Sequence, residues 1–156
     1  MSGDWLLSLV LPKLTTAGRP HHCDIALEKV LGPILAARPS TILFEAANPR
    51  HEHEWEVWRN ARLADDKILA PGLIDSCSNY VEHPELIRQR ITRYVAFMGR
   101  DRVLASTDCG FGTFANYGKI DPAVTWMKLS ALKEGAERAS RVAHHHRRLP
   151  SPTPAR

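Results

Sequence analysis

The segment Val103-Leu104-Ala105-Ser106-Thr107-Asp108-Cys109-Gly110-Phe111-Gly112-Thr113 is an apolar, β-prone run that stops abruptly at a cysteine flanked by an acid and nearby glycines. The run predicts a strand over residues 103–107. The glycines permit the sharp turn that leaves Cys109 at the rim of a sheet, where α/β proteins hold their chemistry. A free cysteine also serves as a small buried hydrophobe. The stretch taken alone leaves both readings open.

Working outward, strand and helix signals alternate. Residues 25–37 carry Leu27, Val30, Leu31, Ile34 and Leu35 on one helical stripe, and Pro39 ends it. Thr41-Ile42-Leu43-Phe44-Glu45 reads as a buried strand ending in a carboxylate. Asn48-Pro49 is a turn, followed by a short helix over residues 52–61. A second strand spans residues 67–74, is interrupted by Pro71-Gly72 and ends at Asp75. Residues 84–98 read as a helix, with Pro84 suited to its first turn and Gly99 to its stop. The 103–107 strand is the third. Asp121-Pro122 opens a last helix over residues 123–142, with Val124, Met127, Leu129, Leu132 and Ala136 available for packing. This alternation implies an α/β fold of about three parallel strands with flanking helices. In a parallel sheet the strand ends share one edge, so Glu45, Asp75, Asp108 and Cys109 converge into a candidate site.

Composition narrows the class. The 156 residues are 44% hydrophobic and 24% charged, as expected for one globular domain with a real core. No run approaches the roughly 20 apolar residues of a membrane span. Trp5-Leu6-Leu7-Ser8-Leu9-Val10-Leu11 is short and lacks a basic leader, so it does not read as a signal peptide. Three widely spaced cysteines, at positions 23, 77 and 109, form no disulfide framework and fit a reducing, cytoplasmic setting. Much of the net charge of +4 comes from Arg138, Arg141, Arg147, Arg148 and Arg156, without interleaved aromatics, which argues against a nucleic-acid binder. Residues 143–156 are basic and Pro-rich and read as a disordered tail, in which His144, His145 and His146 are solvated.

Four segments carry a family resemblance: Phe44-Glu45-Ala46-Ala47-Asn48-Pro49-Arg50-His51-Glu52-His53-Glu54-Trp55, Asp65-Asp66-Lys67-Ile68-Leu69-Ala70-Pro71-Gly72-Leu73-Ile74-Asp75, Val81-Glu82-His83-Pro84-Glu85-Leu86 and Thr107-Asp108-Cys109-Gly110-Phe111-Gly112. In this order they resemble the C-terminal part of the cobalamin-independent methionine synthase-like family, which includes the epoxyalkane:coenzyme M transferases. The likeness runs from about residue 18 to about residue 141, leaving residues 1–17 atypical and the tail outside. It implies the C-terminal part of a (β/α)8 barrel whose rim holds zinc, and a methyl or alkyl transferase acting on a small-molecule thiol. The expected ligands are Cys109 from Asp-Cys-Gly, Glu45 from the strand end, and a His-x-Cys pair. Spacing offers His21 and Cys23 for that pair. A competing alignment matches Gly18-Arg19-Pro20-His21-His22-Cys23-Asp24 to a later Gly-Pro-His-His-His-Asp stretch, and then the pair belongs near residues 9–14, where no His or Cys occurs.

Asp75 reads as a catalytic or ligand-orienting carboxylate or as the anchor of a neighbouring loop, and Asn48, Asp108 and Gly110, beside the strand ends, read as substrate contacts. Cys77 stands where methionine synthases carry a proton-donating histidine. His51 and His53 are two residues apart, a spacing that diverges on a helix, and read as a solvated helix start or a substrate contact. Trp55, Trp58, Tyr80 and Phe114 read as packing. The chain supplies about three of eight strands, so a complementing chain or a second copy is an expected partner. The alternative is a non-catalytic barrel fragment that keeps the motif, or one half of a split enzyme.

Overall fold

A computed structural model describes residues 6–9, 25–112 and 120–146. Strands β1 (Leu6–Leu9), β2 (Thr41–Phe44) and β3 (Ile68–Pro71) form one parallel sheet in the order β1-β2-β3. Leu6 pairs with Thr41, and Thr41 with Ile68. The helices are α1 (Leu27–Ala36), α2 (Trp55–Asn60), α3 (Pro84–Met98) and α4 (Pro122–His146), with a 3-10 turn at Glu52–Glu54 leading into α2.

Three strands were expected, but the set differs. The segment β1 falls in the N-terminal stretch that matched no motif. The predicted strand over residues 103–107 is not a continuous strand: it touches β3 at two parallel bridges, Leu69 with Val103 and Gly72 with Ser106. The Leu104 N–H donates to Leu69 O at 2.9 Å and the Ser106 N–H to Pro71 O at 3.3 Å. Pro71 has no N–H to return on that side, so the ladder breaks in its middle. The sheet of the described residues is open and forms no closed barrel. Helix α4 runs through His146, so residues 143–146, expected in the tail, are helical; residues 147–156 lie outside the described residues.

Side-chain alternation on β2 sets the layers. Ile42 and Phe44 are buried while Thr41 and Leu43 are only partly covered, the period-2 pattern of a strand with one face against helices. Phe44 stacks on Trp58 with ring centroids 4.5 Å apart and meets Tyr94 edge-on at 5.8 Å. This core also takes in Leu27 and Ile34 of α1, Leu69 of β3 and Met98 of α3. A second core joins Leu73 and Ile74, just past β3, to Ile87 and Ile91 of α3 and to Ala131 and Ala139 of α4.

Helix ends follow local chemistry. His83 caps α3, its Nδ1 accepting the Glu85 N–H at 3.1 Å, with Pro84 at the first helical position and Gly99 leaving the helix at φ 80°. Helix α1 has no side-chain cap of its own, and Glu54 Oε1 accepts its Leu27 N–H from across the fold at 3.2 Å. On α4 the buried face is Lys128, Ala131, Gly135 and Ala139, which corrects the predicted stripe: Met127 is exposed, and Val124, Leu129, Leu132 and Ala136 flank the contact. Small residues occupy the seam because α3 and α4 approach closely. A Cβ on Gly135 would lie 2.6 Å from Ile87 Cβ and 2.9 Å from Pro84 O.

Candidate functional site at the C-terminal sheet edge

All strands run the same way, so the residues that follow them gather at one edge. Glu45 follows β2 directly, Asp75 lies four residues past β3, and Asp108 and Cys109 follow the bridged segment. Hydrogen bonds cross the edge between the loops that carry these residues.

Asp108 is the centre of that network. Its Oδ1 accepts the N–H groups of Ala46 (2.9 Å) and Ala47 (2.8 Å). Its Oδ2 accepts the Asn48 N–H at 2.9 Å and Asn48 Nδ2 at 3.2 Å. The carboxylate is 1% exposed. Burial pushes its carboxyl above the usual carboxylate range, the Ala46 and Ala47 N–H groups pull it down, and Glu45 adds to the rise. Four donors occupy the carboxylate, so it acts as a clamp on the loop after β2 rather than as an open contact for substrate. Gly72 is required beside it, because a Cβ there would sit 2.5 Å from Asp108 Cα.

Asn48 is committed in the same way. Its Nδ2 bridges Asp108 and Glu45 Oε2, the latter at 2.7 Å, and its Oδ1 accepts the Arg50 N–H at 3.1 Å. It therefore orients the buried Glu45 carboxylate. Asp75 Oδ1 accepts the Cys77 N–H at 2.8 Å, and Ser76 Oγ lies 2.7 Å from Cys109 Sγ. Cys109 is half-buried, while Cys77 and Gly110 are exposed. His51 is buried, with Nδ1 2.9 Å from Glu54 Oε2, whereas His53 is exposed. Trp58 is fully buried, Trp55 partly so, and Tyr80 is 61% exposed and does not pack as expected. Phe114 lies outside the described residues.

Sequence reading missed the residues that fix this edge from behind. Arg90 of α3 is buried and donates to Leu73 O at 3.0 Å, to Ala47 O at 3.2 Å and to Glu52 Oε1 at 3.2 Å. Lys128 of α4 is fully buried; its Nζ lies 2.8 Å from Glu82 Oε2 and donates to Tyr80 O at 2.5 Å. Glu82 Oε1 in turn accepts the Asp75 N–H at 2.7 Å. The available signal was a basic residue on a buried stripe: Arg90 shares a face with Ile87, Ile91 and Tyr94.

Cys109 and Glu45, the ligands expected from the resemblance, stand on neighbouring loop ends. The residues next to them in sequence, Asp108 and Ala46, are bonded to each other. No group of three or more His, Cys, Asp or Glu side chains that could hold a metal ion occurs among the described residues. His21 and Cys23 lie outside the described residues. The strand beside β2 ends at Leu9 and runs on into Val10-Leu11-Pro12-Lys13-Leu14, which contains no His or Cys. A cavity of about 30 Å³ between α1 and Glu45 has room for a water or two and not for a substrate.

These features define a parallel α/β arrangement whose strand-end loops are joined by buried polar groups. The solved structure of a B12-independent methionine synthase from Shewanella sp. W3-18-1, in complex with selenomethionine, has a similar fold, with a TM-score of 0.60 and 24% identity. The match covers 76% of this chain and 31% of that one, so the chain spans about a third of its structural relative. No family model and no curated protein matches the chain. Among the described residues, no helix is long and apolar enough to cross a membrane.

Proposed function

We propose that this chain contributes a zinc-dependent site for methyl or alkyl transfer to a small-molecule thiol, in the manner of methionine synthases. The observation that carries this reading is the hydrogen-bonded joining of the Glu45 and Cys109 loop ends through Asp108 and Asn48 at the C-terminal edge of a parallel sheet. Cys109 and Glu45 would be ligands, with His21 and Cys23 completing the set. A zinc ion held there would lower the pKa of the acceptor thiol, whose ordinary value of about 8.5 keeps it mostly protonated at neutral pH. The chain's own residues place the donors: Asn48 holds the Glu45 carboxylate, Asp108 fixes the loop that carries both, and the turn at Asp75 borders Cys109 and orients the substrate. Completing such a site calls for a partner that pairs with the outer edges of the open sheet, either a complementing chain or a second copy.

The first experiment is zinc stoichiometry on the purified chain, beside Cys109→Ser. One zinc per site that disappears in the variant supports the reading and leads to a thiol-alkylation assay. No zinc in either favours the second reading, a non-catalytic fragment that keeps the barrel motif. The observation behind that alternative is the absence of His or Cys in the five residues that follow β1.

A further inference from the structure

We propose that a second copy of this chain completes the sheet, its β1 pairing along the free edge at residues 103–106, so that two copies close one eight-stranded β/α barrel. This names the partner that the reading above requires, and it rests on that reading's open sheet, not on its metal. Each strand position lies beside the next in sequence, β1-β2-β3 and then the bridged segment 103–106. Helices α1, α2 and α3 all join the core of Ile42, Phe44 and Leu69, so they cover the same face of the sheet. Leu43, Ile68 and Ala70 lie on the other face and belong to neither core. Doubly wound sheets reverse their strand order and carry helices on both faces. Sequential order with helices on one face is the winding of a barrel, and parallel sheets persist with both faces covered. The four parallel strand positions among the described residues are half of the eight that close such a barrel.

The two outer edges suit each other. At one, Leu104 and Ser106 give their N–H groups to Leu69 O and Pro71 O, which turns the N–H and C=O of Ala105 outward. Leu104 is 51% exposed, and Ala105 is exposed beside it. A groove of about 370 Å³ opens there between α3 and α4, and its walls include Ile91, Val95, Val103, Leu104 and Ala136. At the other edge stands β1, the apolar Leu6-Leu7-Ser8-Leu9, bonded to β2 on one side. All strands run parallel, so a rotation about the barrel axis brings β1 of the second copy alongside residues 103–106 in the parallel sense. The same rotation makes the reverse joint. Two identical joints close the ring and leave no edge, and the strand-end loops of both copies share one rim.

The test uses the full chain. Sedimentation velocity is expected to give twice the 17.5 kDa chain mass. With Leu104 replaced by a photo-reactive phenylalanine analogue, irradiation is expected to join two copies through the peptide that holds residues 6–9. Within one copy β2 and β3 stand between these edges, so that adduct forms only between copies. Ala105→Pro removes the outward N–H and spares the bonds to β3, and is expected to raise the dissociation constant of the dimer about ten-fold or more. A monomer overturns the proposal, and an assembly larger than two overturns closure by a pair. An adduct elsewhere in the chain overturns the joint between β1 and residues 103–106, as does a dimer that Ala105→Pro leaves unchanged. Where Ala105→Pro does not fold, the cross-link decides. A dimer that takes up no zinc leaves the assembly standing and removes the metal reading, and a monomer that takes up zinc does the reverse.

Discussion

The two edges of the sheet are held by different sets of buried charge. At the edge where the strands begin, the buried side-chain charge is Lys67, whose Nζ donates to Ala37 O at 2.7 Å and to Pro39 O at 2.8 Å and pins the turn between α1 and β2. At the edge where they end, four carboxylates are buried, Glu45, Asp75, Glu82 and Asp108, with the cations Arg90 and Lys128 behind them. One cation on two carbonyls closes a turn and creates no reactive surface. Buried carboxylates are costly to desolvate, and each of the four accepts hydrogen bonds from a different loop or from its own turn. The costly buried carboxylates are therefore concentrated at one end of the strand axis, where they tie the strand-end loops together.

Removing Asp108 should destabilise the fold most severely. Asp108→Ala strands three buried backbone N–H groups and the Asn48 amide, each costing about 1–3 kcal/mol when left unsatisfied. The expected loss is at least about 4 kcal/mol, read from urea unfolding. A loss below about 1 kcal/mol would mean that water replaces the carboxylate and that the edge is not fixed by it. Lys128→Met comes next, at about 3 kcal/mol, because it leaves Glu82 buried and unpaired. Adding Glu82→Gln should recover part of that loss. A double variant no more stable than Lys128→Met alone would show that the cation's bond to Tyr80 O, rather than the ion pair, carries the effect.

The sequence made some of this legible and hid the rest for physical reasons. Helix α3 was readable to the residue because Pro84 and Gly99 punctuate it chemically. The shared edge was readable because strand ends, unlike strand pairings, are local features. The bridged segment was over-read as a strand, since its interruption comes from Pro71 on a neighbouring strand. Strand β1 was not read as a strand, because four apolar residues specify no partner until β2 is beside them. On α4, the large apolar residues drew attention away from Ala131, Gly135 and Ala139, whose smallness is what the close approach to α3 requires. In the site, residue types identified Glu45 and Cys109 as candidates. The commitment of Asn48 and Asp108 to protein groups depends on distances that no spacing contains.

A smaller loss is expected at the opposite edge. Lys67→Met removes two charge-assisted hydrogen bonds without leaving a buried counter-charge, so the expected loss is about 2 kcal/mol. Zinc uptake, where the wild-type chain shows it, should be unchanged, because the lesion lies at the far end of β2 and β3. Urea unfolding and chelator competition on the same preparations check both halves. Weakened zinc binding in Lys67→Met would show that the two edges are mechanically coupled and that their separation is only chemical.

The smallest effect is expected at an exposed charge that belongs to neither edge network. Glu85 stands in the first turn of α3, where the Arg88 guanidinium, 2.6 Å away, holds its carboxyl below the usual carboxylate range. The folded-state value lies below the unfolded one, so the ionised group stabilises the protein at neutral pH. That contribution is lost as the pH falls through the folded-state value. Solvent screens an exposed pair of this kind, and its contribution is correspondingly slight. Glu85→Gln should lower the urea midpoint slightly at neutral pH, and the difference from wild type should close on acidification. A gap that widens as the pH falls would show that Glu85 is stabilised in its protonated form. It would then have to be grouped with the buried carboxylates rather than set against them.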